Sequence, residues 1–368
     1  MKARIHPTPR LRGAAAAVTA VSAAVALAAC GPKAADGSGG GDAPRIAVLL
    51  PDNTTARWET QDRPLLEKRI KELCADCVIE HVNARGEVAV QQAQMDSMIT
   101  KGVDAIVLVA VDARSLGATV AQAQRAGIPV IAYDRLAHGP ISGYVSFDGV
   151  EVGRLQGRAL LRAMGDKVPG GQIVMMNGDP SDPNAVSFKE GALSVLRGKV
   201  RIGKSYDTAQ WRPEAANTNM AAALSSLGAD AVDGVYAAND GLAAGSVSAL
   251  KANKVAPLPP VTGQDAELGA VRRIVGGDQY MTVLKQFEPE ASAGGTMAVA
   301  AARGERLTET ATGEVRASDG HSVPAVLLTP VPVTVDNIKE TVVKGGVHTI
   351  GQICVPDLRA ACERAGLT

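Results

Sequence analysis

The sequence predicts an α/β protein of two doubly wound parallel-sheet lobes, on three observations. Short apolar runs alternate with helical patterns, the alternation restarts once about halfway along the chain, and most of the apolar runs are continuous. Strand–helix alternation implies right-handed crossovers between parallel strands. Strands that are apolar on both sides fit sheets covered on both faces. A chain of 368 residues, 46% hydrophobic, is long enough for two compact lobes.

The first half opens with Arg45-Ile-Ala-Val-Leu-Leu50 as a strand, followed by a helical pattern over 58–73. Strands over 78–82, 105–110 and 127–134 follow, with helices over 88–100 and 115–125 between them. The second half repeats the scheme. Helices are expected over 150–164, 184–196, 213–227, 241–251 and 267–275, and strands over 172–176, 200–206, 231–237 and 260–264.

The N-terminus reads as an export address. Residues 1–12 are basic and 13–29 are a run of Ala, Val and Leu, shorter than the roughly 20 residues that span a bilayer. The run ends in Leu27-Ala28-Ala29-Cys30-Gly31, which resembles a bacterial lipobox. A signal peptide over 1–29 and lipid attachment at Cys30 are therefore expected. An ordinary secretory signal with an incidental cysteine is the weaker alternative. Residues 30–43, rich in Gly, Ser and Ala, are expected to be a flexible linker that cannot join a core. The protein should be tethered outside the cytoplasm, without crossing the membrane.

Export places Cys74, Cys77, Cys354 and Cys362 in an oxidising compartment, where an even number suggests disulfides. The local pairings, Cys74 with Cys77 and Cys354 with Cys362, need no long-range geometry. A redox site at Cys74-Ala-Asp-Cys77 is disfavoured, because Cys74 falls at the end of a predicted helix and not at its thiolate-stabilising start. The five histidines show no metal-ligand spacing, so neither a metal nor a cofactor is expected.

Charge and motifs exclude further classes. Lys2, Arg4, Arg10 and Arg12 all lie in the leader, so the remainder carries an excess of acid over base. It has no basic stripe with which to neutralise phosphates, which argues against nucleic acid. Leu49-Leu50-Pro51-Asp52-Asn53 has no glycine for a dinucleotide loop, and neither a Walker loop nor a nucleophile elbow occurs. No histidine is an evident general base, so no enzymatic activity is expected.

What remains lies at the strand ends, where ligands of such sheets bind. Asp52, Asn53, Asp112, Asp134, Arg135, Asn177, Asn239, Asp240 and Asp265 all follow predicted strands. Acids, amides and guanidinium groups hold hydroxyls. The two tryptophans, Trp58 and Trp211, fall one in each half, in loops beside Arg57 and Arg212. Two indoles facing each other across a cleft would sandwich one flat sugar.

In Ala56-Arg-Trp-Glu-Thr-Gln-Asp-Arg63, Ala132-Tyr-Asp-Arg135, Val145-Ser-Phe-Asp-Gly-Val-Glu-Val-Gly153 and Asp182-Pro-Asn-Ala185 the chain resembles the type I periplasmic sugar-binding proteins of bacterial ABC importers. The D-xylose-binding group is most similar. Ala238-Asn-Asp240, Gly263-Gln-Asp-Ala-Glu267, Met281-Thr-Val-Leu-Lys285 and Leu327-Leu-Thr-Pro330 extend the resemblance, which covers about 45–346.

The resemblance implies two lobes joined by three crossovers, near Ser146, Met281 and Thr329. The N-lobe would be 44–146 plus 282–329, and the C-lobe with its tail 147–281 plus 330–368. It implies a monomeric binding protein that closes like a hinge on a monosaccharide, D-xylose in the first instance, and delivers it to an ABC permease with its ATPase. A sensor presenting the bound aldose to a membrane signalling protein is the alternative.

The implied ligand residues are Arg57, Trp58, Asp134, Arg135, Asn184, Trp211, Asn239, Asp265 and Lys285. Trp58 and Trp211 would stack. Asp134, Asp265 and Asn239 would accept hydroxyl protons, and Arg57, Arg135, Asn184 and Lys285 would donate. Asp240 is expected to cap the following helix. Pro183 stands where the family usually shows a second Asn, and the cysteines and the tail 353–368 lie outside its usual pattern. Both leave room for a related aldose.

Overall fold

The structure is a computed structural model that describes residues 43–368; the expected signal peptide, Cys30 and the linker up to Asp42 lie outside the described residues. The first half contains β1 (Arg45–Leu50), α1 (Arg63–Leu73), β2 (Val78–Asn83), α2 (Val88–Lys101), β3 (Ala105–Leu108), α3 (Gly117–Arg125), β4 (Val130–Tyr133) and β5 (Gly143–Phe147). The chain then runs through α4 (Gly149–Met164), β6 (Gln172–Asn177), α5 (Pro183–Leu196), β7 (Arg201–Asp207), α6 (Pro213–Leu227), β8 (Gly234–Ala237), α7 (Asp240–Ala252) and α8 (Leu268–Gly276). It ends with β9 (Thr282–Leu284), α9 (Phe287–Ala302), β10 (Gly313–Arg316), β11 (Ser322–Leu328), β12 (Val331–Val333), α10 (Ile350–Ile353) and α11 (Arg359–Arg364).

One sheet has seven strands in the order β10-β11-β5-β4-β3-β1-β2, parallel except for the β10–β11 edge. The second has the order β7-β6-β8, all parallel. The expected strand over 260–264 reduces to a single bridge between Val235 and Val261. β9 and β12 pair antiparallel, and β9 also bonds back to Gly263 and Asp265. The chain thus leaves the seven-stranded sheet after Phe147, returns to it after Leu284, and leaves again after Leu328.

One local departure from the expected elements has a physical cause. The pattern over 58–73 is not one regular helix: Trp58–Asp62 is a wider π-helical turn before α1. Pro64 lacks the N–H that would bond the carbonyl of Thr60, so the regular ladder starts afresh beyond it. α4 and α5 approach closely because Gly153 lies on the Phe188 carbonyl, where a Cβ would sit 2.0 Å from the oxygen. That contact fixes α5, whose first turn carries Asn184, against the rest of its lobe.

Cys74 is bonded to Cys77, and Cys354 to Cys362. The tail packs Ile353, Cys362 and Leu367 on Val271 and Ile274 of α8. Among the described residues no helix is long and apolar enough to cross a membrane.

Candidate functional site

The carboxyl ends of β1 and β4 present Trp58, Asp134 and Arg135, and across from them α5, the β7–α6 loop and the β8–α7 turn present Asn184, Trp211 and Asn239. Together with Asp265 and Lys285 they line one cavity, joined by Thr55, Asp182, Phe188 and Gln264. Eight of the nine residues implied from sequence therefore converge on it, the exception being Arg57.

Arg57 lies behind the cavity wall. Its Nε and Nη2 donate to Asp62 Oδ2 and Oδ1 at 2.7 and 2.6 Å, Nη2 donates to Glu290 Oε2 at 2.5 Å, and Nη1 to Asp134 Oδ2 at 3.0 Å. The guanidinium is held between Trp58 and Phe287, 4.5 and 4.9 Å from the ring centroids. Expected as a direct donor, Arg57 here spends its hydrogen bonds on carboxylates and acts on the cavity through Asp134 and the Trp58 face.

Asp134 is the hub. Lys285 Nζ lies 2.6 Å from its Oδ2, and Asn184 Nδ2 donates to its Oδ1 at 2.7 Å and its carbonyl at 3.1 Å. Its φ of +58° is unusual for a residue with a Cβ and marks a held conformation. Arg135 Nη1 donates to the Ala110 carbonyl at 3.0 Å. Its Nε approaches Asp182 Oδ2 at 2.7 Å, an ion-pair contact out of line for a hydrogen bond. Asp134–Asn184 and Arg135–Asp182 both bridge the two lobes directly.

The indoles are positioned by different means. Trp58 starts the π-helical turn and is 2% exposed. Trp211 follows Gln210 in the left-handed region, at φ of +54° and +55°, and its Nε1 donates to Asp182 Oδ2 at 3.2 Å. Its ring lies flat on Gly178, where a Cβ would fall 2.0 Å from the ring. Phe188 meets it edge-on at 6.4 Å.

Asn239 takes the capping role expected of Asp240 and still lines the cavity, which Asp240 does not reach. Asn239 is the N-cap of α7: its Oδ1 accepts from Leu242 N at 2.9 Å, while its NH2 remains to donate. Asp240, within the helix and fully buried, accepts from Glu267 N, Thr282 Oγ1 and Gln279 Nε2 at 2.8–2.9 Å.

The electrostatics are crowded. Arg57, Arg135 and Lys285 are buried with Asp62, Asp134, Asp182, Asp265 and Glu290, so acids outnumber cations. Burial pushes Asp134 up, but Lys285 and Arg57 outweigh it and hold its carboxyl well below the usual range. Burial dominates at Asp182 and Asp265, whose carboxyls are raised, and at Glu290, pushed up to about 8 despite Arg57.

In the unfolded chain Glu290 releases its proton near pH 4.5, whereas in the fold it keeps it to about 8. The folded state then binds the extra proton between those values, and stability falls as pH rises through that window. Asp240, raised to about 7, and Glu267, raised to about 8, act in the same direction, burial being the main cause at both. Chemical denaturation from pH 5 to 8 should show a steeper loss for the natural chain than for Glu290→Gln, whose amide still accepts from Arg57. Equal slopes would mean that Glu290 is ionised throughout.

Sequence reasoning missed Asp182, Phe188, Asp62 and Glu290. Phe188 was within reach, since it lies one helical turn after Asn184 on the same face of α5. Glu290 carried no local signal, because it meets Arg57 from a distant part of the chain.

In chemical terms the cavity offers two indole faces for C–H surfaces, carboxylates to accept hydroxyl protons, and Arg135, Lys285, Asn184 and Asn239 to donate. That suits a small polyhydroxylated molecule.

Comparison with known proteins gives the same direction. Residues 46–306 match the family described as periplasmic binding protein domain. The chain is 34% identical over 310 residues to the D-xylose-binding periplasmic protein of Escherichia coli K12, covering 83% of this chain and 91% of that protein. It is 32% identical over 330 residues to a multiple sugar-binding periplasmic receptor of Rhizobium radiobacter, covering 84% and 92%. A solved ABC transporter solute-binding protein from Clostridium phytofermentans with bound β-D-glucose superposes at a TM-score of 0.76. It is 32% identical, with 84% of this chain and 99% of that chain covered.

Proposed function

This chain belongs to the periplasmic binding protein family, whose members are solute carriers and not enzymes, and from that premise we propose that it captures a monosaccharide between its lobes for an ABC importer. D-xylose is the first candidate and a related aldose the next. The observation that carries the reading is the cavity itself, where Trp58 and Trp211 come from opposite lobes and Asp134 and Asp265 lie beside Lys285 and Arg135.

A sugar bonded on both sides has differential affinity for the closed arrangement and shifts the lobes toward it. Its hydroxyls would take over part of the Lys285–Asp134 and Asn184–Asp134 bonding. Lipid attachment at Cys30 would keep the loaded protein beside the permease.

Thermal unfolding of the purified chain against a panel of pentoses and hexoses tests this. A ligand at 100 times its dissociation constant stabilises the native state by about 2.7 kcal/mol. A shift with D-xylose alone supports the first candidate, and a shift with another sugar moves the specificity. No shift with any sugar overturns the reading.

Trp211→Ala should weaken binding of the responding sugar by about 1–3 kcal/mol, the scale of ring stacking elsewhere. Unchanged affinity by calorimetry would remove Trp211 from the site.

A further inference from the structure

Asp265 and Ala266 form a corner in which both residues have positive φ, +101° and +49°, although neither is glycine. Such a corner persists only where its surroundings over-determine it. Asp265 N donates to the Val283 carbonyl at 2.9 Å and Ala266 N to Thr282 Oγ1 at 3.1 Å. The next peptide is held at both polar ends: Glu267 N donates to Asp240 Oδ2, and the Ala266 carbonyl meets His348 Nε2, both at 2.9 Å. A carbonyl only accepts, so Nε2 carries the proton.

Of these partners only His348 comes from the C-terminal tail. The tail is itself fixed, because Arg272 Nε and Nη2 donate to the Gln352 carbonyl at 3.0 and 2.6 Å. Thr349 and Gln352 form a reciprocal cap on α10, and Cys354–Cys362 closes the loop behind it.

We propose that His348 is a positioning residue: through the Ala266 carbonyl the tail holds the Asp265 corner, and so sets where the Asp265 carboxyl stands in the ligand cavity. The proposal rests on the sugar-binding reading above. It gives the tail a part in ligand affinity although His348 does not line that cavity.

The test compares the full chain with His348→Ala and His348→Gln, since a Gln amide places an N–H at about the reach of Nε2. Affinity for D-xylose and D-glucose is measured by calorimetry, and hydrogen exchange is followed over 265–267. His348→Ala should bind about five- to tenfold more weakly, the scale of one lost hydrogen bond, with faster exchange at the corner. His348→Gln should restore both.

Natural affinity in His348→Ala, or equal weakening in both variants, overturns the proposal. If the natural chain takes neither these two nor any other pentose or hexose of the panel, it is the sugar-binding reading that fails. The exchange comparison then decides alone: faster exchange confined to His348→Ala supports the tail's hold on the corner, and unchanged exchange overturns it.

Discussion

Replacing Arg57 with methionine is expected to lower the free energy of unfolding by about 3–5 kcal/mol, the usual cost of removing one partner from a buried ion pair. The mean worth of a salt bridge does not set this figure. The groups left behind do: Asp62 and Glu290 are both wholly buried, and they lose three guanidinium bonds between them. Asp62 retains the Tyr133 hydroxyl at 2.7 Å, which cannot replace a charge.

Methionine keeps much of the volume between Trp58 and Phe287, so the loss reads as charge and not as a cavity. Denaturant unfolding at neutral pH measures it. A loss below about 1 kcal/mol, the range of exposed pairs, would mean that the surroundings rearrange to satisfy Asp62 and Glu290 without Arg57.

The same cluster shows where the sequence is informative and where it stops. Asp134 and Arg135 follow β4 directly, and Trp58 follows β1 by a short loop, so the rule that ligands lie beyond strand ends finds them. Direction of pairing is not visible in that way. Asn239 and Asp240 are adjacent and both suit a cap, and only the backbone decides that Asn239 sits at the cap with an extended φ of −144°.

α9 escaped the periodicity because it is rich in Ala and Gly, which contrast weakly with its few polar residues. Gly294, Gly295, Met297, Ala298 and Val299 are buried together, and only the thin stripe Glu288, Ser292 and Thr296 marks its turns. Glu290, the partner that turns Arg57 inward, rides on that helix. β5 lies between a Pro140 loop and α4, and its five residues Gly143–Phe147, buried on both faces, could not be told by pattern from a buried helical start.

Asp134→Ala should abolish detectable sugar binding, with a loss of at least about 2–5 kcal/mol in binding free energy, the cost of truncating one member of a buried, hydrogen-bonded charge pair. Lys285, Arg57 and Asn184 all donate to Asp134. Its removal leaves Lys285 facing the cavity without its close carboxylate and takes one of the three that Arg57 bonds, and neither a sugar hydroxyl nor water restores that charge.

Asp265 cannot take over without moving, since it stands 3.8 Å from Lys285 Nζ and 3.9 Å from Arg57 Nη1, beyond hydrogen-bond reach of both. Asp134→Asn separates charge from geometry: it preserves an oxygen acceptor but not the negative charge. If charge dominates, Asn should bind nearly as poorly as Ala. If hydrogen-bond geometry dominates, Asn should recover much of the affinity. Calorimetry on both variants with the sugar that stabilises the natural chain distinguishes the two. Binding by Asp134→Ala at natural strength would place the ligand elsewhere than between Trp58 and Trp211.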